Sequence, residues 1–150
     1  WLQDIDYDKY ADAEAEMGWL NAEVNIEFPY DVDGVVVVNQ LLSGLNSGVE
    51  KAKGRVGHVK LLANTASGYA KAGITQTGSG VDVDGGFDAK VRNMDFTINI
   101  RATLDPQDLA RILQSALDRS SASTGTKTSV RYLNTFRPGR PNPTYRFNQE

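Results

Sequence analysis

Asn21-Ala22-Glu23-Val24-Asn25-Ile26-Glu27-Phe28 alternates without a break, with Ala22, Val24, Ile26 and Phe28 on one side and Asn21, Glu23, Asn25 and Glu27 on the other. A period of two belongs to a strand, because successive side chains leave a strand on opposite faces. One face is apolar and one polar, which suits an antiparallel sheet with one side in water better than a parallel sheet buried on both sides. Pro29 and the turn Asp31-Val32-Asp33-Gly34 close the strand.

After the turn the period changes. From Val35 to Lys53, the residues Val38, Leu41, Leu42, Leu45 and Val49 recur at helical spacing. Gly44 and Gly48 interrupt this helix at about 1 kcal/mol each against Ala, so tertiary packing must hold it. Gly54 is read as its stop. Strands follow over Val56–Leu62 and Tyr69–Gln76, joined by the hairpin composition Asn64-Thr65-Ala66-Ser67-Gly68. Thr77-Gly78-Ser79-Gly80 reads as a flexible loop, and Phe87–Thr103 as one long extended region. A second helix starts at Asp105 as cap and Pro106 as first-turn residue, with Asp108 favoured by the helix dipole. Leu104 and Leu109 flank that cap, and Leu109, Ile112, Leu113, Ala116 and Leu117 make the apolar stripe. Ser129–Phe136 is the last strand.

Upstream, Tyr7–Gly18 is rich in Ala and Glu, with Tyr10, Ala13 and Met17 on one side, and reads as a short helix stopped by Gly18. The expected plan is therefore a lead-in helix or linker over 1–20, an α+β domain over 21–136, and an extended Pro/Arg-rich tail over 137–150. The order β-α-β-β-β-α-β predicts a ferredoxin-like sandwich with one extra strand, both helices lying on one face of a mostly antiparallel sheet.

At 150 residues the chain is the size of one domain and needs neither metal nor disulfide to fold. The absence of cysteine excludes thiol catalysis and cysteine-based zinc sites, and fits a cytoplasmic setting. No apolar run approaches a membrane span. The net charge of −3 argues against nucleic acid as a partner. Charge is unevenly placed: Asp4, Asp6, Asp8, Asp12, Glu14 and Glu16 crowd the start, while Arg131, Arg137, Arg140 and Arg146 lie in the last twenty residues.

No motif commits the chain to catalysis. Gly78-Ser79-Gly80 lacks the lysine and the following helix that a phosphate loop needs. Asp82, Asp84 and Asp88 resemble a calcium loop, but Phe87 and Asn93 occupy the positions of the sharp-turn glycine and the closing carboxylate, so a solvated turn is expected. His58 is the only histidine and reads as a hydrogen-bonded strand residue. No catalytic, cofactor or metal residues are assigned.

Two segments carry a resemblance to a known family. Asp6–Ala22 resembles the segment joining the two halves of CobW-like GTP-binding proteins, the cobalamin-synthesis-protein family of P-loop GTPases. Phe136-Arg137-Pro138-Gly139-Arg140-Pro141-Asn142-Pro143-Thr144-Tyr145-Arg146 resembles their C-terminal signature, and Gly57–Leu62 is similar to the strand before their hairpin. Tyr145 stands where the family commonly has His, which weakens a metal-ligand role for the tail. The resemblance implies a non-catalytic C-terminal domain of a metallochaperone-type GTPase, without nucleotide or metal residues of its own. Its partners would be the GTPase half, a client protein or a second copy, with no nucleic acid and no membrane. The tail, stiffened by three prolines, offers Phe136, Arg137, Arg140, Tyr145 and Arg146 for docking. The alternative is a stand-alone small-molecule-binding or enzymatic α+β domain.

Overall fold

A computed structural model of the chain describes residues 17–75, 82–122 and 124–138. Along the chain run β1 (Gly18–Val32), α1 (Gly34–Lys51), β2 (Val56–Thr65), β3 (Gly68–Ile74), β4 (Asp82–Phe87), β5 (Val91–Ala102), α2 (Pro106–Ser120) and β6 (Lys127–Phe136). The strands form one sheet in the order β4-β3-β2-β5-β1-β6, every neighbouring pair antiparallel. Both helices pack on the same face of it. The fold is α+β, with two layers around one core.

The alternation of β1 places its apolar side as expected: Leu20, Ala22, Val24, Ile26 and Phe28 are all buried. Val59, Leu61 and Ala63 of β2 and Met94, Phe96, Ile98 and Ile100 of β5 join them under Val38, Leu41, Leu42 and Leu45 of α1 and Leu109, Leu113 and Leu117 of α2. The two glycines within α1 follow from this packing. A Cβ on Gly44 would lie 3.4 Å from the Ala116 Cβ, and one on Gly48 would lie 2.6 Å from Ile112 Cγ2. Their propensity cost allows the close approach of α1 and α2.

Four expectations are corrected. There are six strands rather than five, because Asp82–Phe87 pairs with β3 instead of forming a solvated turn. The extended region that follows is broken after Phe87, and β5 begins only at Val91. Gly18, expected as the last residue of a helix, opens β1 opposite Ala102, so the first strand starts three residues before the alternating stretch. The helix expected over Tyr7–Gly18 otherwise lies outside the described residues. Finally, α1 ends at Lys51, and the left-handed residue behind it is Lys53 (φ 63°) rather than Gly54.

The α1 start has a defined cap. Asp33 Oδ1 accepts from Val35 N at 3.0 Å and from Val36 N at 3.4 Å, satisfying two of the amides that a helix start leaves unpaired. Replacing Asp33 with Ala should cost about 1 kcal/mol in urea unfolding, and Asp33→Asn should recover most of it. Among the described residues, no helix is long and apolar enough to cross a membrane.

Candidate functional site

The helices cover one face of the sheet and leave the other open, and strand register fixes what meets there. One row runs Phe136, Trp19, Arg101, His58 across β6, β1, β5 and β2. The next runs Asn134, Asn21, Asn99, Lys60, Gly73 of β3 and Asp82 of β4. The third runs Tyr132, Glu23, Thr97, Leu62, Lys71 and Asp84. These rows collect residues from strands that are far apart in sequence.

The corner of the first row is aromatic and cationic. The Arg101 guanidinium carbon stands 3.7 Å over the Trp19 ring centroid, and the Trp19 and Phe136 rings are 5.4 Å apart at 50°. Stacking of this kind is worth about 0.5–2 kcal/mol and holds the guanidinium plane in place. Beside it, Asn99 Nδ2 donates to Asn21 Oδ1 at 2.6 Å. Trp19, Asn21, His58, Lys60, Asn99 and Arg101 surround a depression of about 270 Å³. A second, of about 380 Å³, adjoins it over Leu62, Lys71, Gly73 and Thr97 and shares Lys60 and Asn99. Because Gly73 carries no side chain, the surface dips beside Lys60. The two depressions form one groove across the sheet.

At the other end of β1 the polar groups serve the structure. Asn25 is buried, and its Nδ2 donates to Asn93 Oδ1 at 2.6 Å and to Asp95 Oδ1 at 2.9 Å, tying β1 to β5. Arg131 reaches the same Asp95 at 3.4 Å from the point where β6 bulges between Val130 and Tyr132.

The two edges of the sheet differ. The β4 edge is six residues long and carries Asp84, Gly85 and Gly86, which blunt it against further pairing. The β6 edge is ten residues long and pairs only with β1. Val130, Tyr132 and Leu133 on it are 42%, 48% and 45% exposed, three of the six large exposed hydrophobic residues among those described.

Of the expected docking residues, the structure places two. Phe136 closes β6 against Trp19. Arg137 Nη2 donates to Asp105 Oδ1 at 2.6 Å, which ties the root of the tail to the start of α2. This also corrects the expected cap: Asp105 is the N-cap residue, but its side chain makes no capping bond and serves Arg137 instead. An exposed pair of this kind contributes about 0–1 kcal/mol. Arg140, Tyr145 and Arg146 lie outside the described residues. Of the acidic trio, Asp84 lies on β4 and Asp88 in the loop after it, and no cluster of three His, Cys, Asp or Glu side chains placed to hold a metal occurs among the described residues. His58 lies in strand β2, as expected. Sequence reading missed the groove altogether, since only the register brings Trp19, His58 and Arg101 side by side.

No protein-family model matches the chain, and no curated protein does. Among solved structures it is distantly similar to three amidases of the hydantoinase/carbamoylase family. That from Burkholderia ambifaria has a TM-score of 0.43 and 19% identity over 80% of this chain and 27% of its own. That from Burkholderia multivorans has a TM-score of 0.43 and 16% identity over 85% and 30%. That from Burkholderia vietnamiensis has a TM-score of 0.39 and 14% identity over 80% and 29%. The chain thus spans less than a third of each amidase it resembles.

Proposed function

We propose that this chain is a non-catalytic interaction domain, the C-terminal part of a cytoplasmic CobW-like GTP-binding protein, and that it docks on the GTPase half through the β6 edge. The observation that carries this reading is the uncovered β6 strand, ten residues long, with Val130, Tyr132 and Leu133 exposed on it. An open edge offers backbone donors and acceptors to another strand, and apolar side chains beside it supply burial once a partner covers them. Phe136 and Arg137 continue the same surface, and their contacts with Trp19 and Asp105 give the tail a fixed root. Strand order supports a ferredoxin-like core: β6-β1-β5-β2 is the sequence of strands that two β-α-β crossovers produce, with the β3–β4 hairpin added beyond β2.

The test is binding between the full chain and a separately produced GTPase half. The double variant Val130→Lys, Leu133→Lys should weaken that binding more than about tenfold, because it places two charges on the surface to be buried. Its melting temperature should stay within a few degrees, both positions being exposed. Unchanged binding would remove the β6 edge from the interface.

A further inference from the structure

The chain has more acid than base, yet the groove on the open sheet face is cationic. Arg101 and Lys60 line one depression and Lys60 and Lys71 the other, with His58 in the wall; no described lining residue is acidic, and carboxylates on this face include Asp84, across from Lys71, and Glu23, across from Thr97. Four other arginines sit on carboxylates: Arg92 on Asp31, Arg111 on Asp108, Arg131 on Asp95 and Arg137 on Asp105, while Arg55 and Arg119, like Arg101, form no ion pair among the described residues. The Arg101 guanidinium carbon lies 3.7 Å from the Trp19 ring centroid, a cation–π contact that restrains the group before any ligand arrives.

The geometry narrows the anion. Phosphate is typically held by free backbone amides at a helix start or a nest. Here the strands carrying the groove residues, β1, β5, β2 and β3, each pair on both sides, so their amides are engaged in the ladder. Side chains must therefore do the binding; the Arg101 fork can take a carboxylate bidentately, and an uncharged stretch between it and Lys71 suits a carbon chain with an acid at each end. In the Asn99 to Asn21 hydrogen bond the Asn21 carbonyl is the acceptor, which leaves its NH2 unused among the described residues, a second donor on the same row. Between the Arg101 end and Lys71 the groove passes Leu62 and Gly73, a floor without charge.

We infer that this groove binds a small organic acid with two carboxylates, one on Arg101 and Asn21, the other drawn along the apolar floor toward Lys60 and Lys71. This binding is separate from the β6 docking and uses none of its residues.

Glutarate is the probe, titrated at neutral pH and low salt into the isotope-labelled full chain and followed by NMR at the Trp19 indole and Arg101 Nε signals. Saturation with Kd on the order of 1 mM or tighter is expected, at least about tenfold tighter than butyrate, which lacks the second carboxylate. Arg101→Lys keeps the charge and loses the fork, and should weaken binding about tenfold or more. Lys71→Gln should erase most of the advantage over butyrate, while Lys51→Gln on α1 should leave Kd within about twofold. The inference is overturned by an absence of saturation up to about 20 mM, by unchanged affinity in Arg101→Lys, or by inorganic phosphate binding more tightly than glutarate.

Discussion

Phe96→Ala should be the most damaging single core truncation, costing about 3–5 kcal/mol and lowering Tm by more than about 10 °C. Phe96 is 1% exposed and is the largest of the fully buried side chains. It sits on β5, which pairs with β1 on one side and β2 on the other, so its neighbours are held by ladders that cannot collapse freely into the space. Both the lost transfer free energy and the remaining cavity then count against the fold. Urea unfolding followed by circular dichroism measures the change. Tyr69→Ala is the matched control: it removes an aromatic ring of similar size that is half exposed on the open face, and should cost well under 2 kcal/mol. Equal losses for the two variants would mean that the core is not centred on β5.

Gly18→Ala should rank second, at more than about 2 kcal/mol, although it adds only one methyl group. A Cβ at this position would run into the carbonyl oxygen of Leu104, with Pro106 N at 3.1 Å and Asp105 C at 3.3 Å also in the way. All three neighbours are backbone atoms at the start of α2, so no rotamer change relieves the clash. Either β1 must give up its pairing with Ala102 or α2 must shift off the sheet. The matched control is Gly86→Ala, where a Cβ meets nothing within 4 Å. Unfolding of both variants against wild type should show a loss only in the first. A Gly18→Ala protein as stable as wild type would show that the α2 start can move away from β1.

The differences between expectation and structure follow from where each signal resides. Gly18 looked like a helix stop because glycine carries that meaning next to an Ala/Glu-rich stretch. Its role comes instead from Leu104, more than eighty residues away. Asp82-Val83-Asp84-Gly85-Gly86-Phe87 is mostly turn-forming residues, with only Val83 and Phe87 favouring a strand, and pairing with β3 makes it a strand all the same. Asp105 has the residue type and position of a cap, but Arg137 claims its carboxylate.

Local periodicity was enough for the amphipathic elements. The alternation of residues 21–28 and the stripes of α1 and α2 are visible in single segments, since each records which side of one element is turned from water. From these the α+β class and the placing of both helices on one face followed. Only the tertiary structure decided the strand order, the uncovered β6 edge and the groove. Those features depend on which strand lies beside which, and so on burial summed over the whole core. A sequence carries Trp19, His58 and Arg101 as three unrelated residues; antiparallel register across β1, β5 and β2 makes them neighbours.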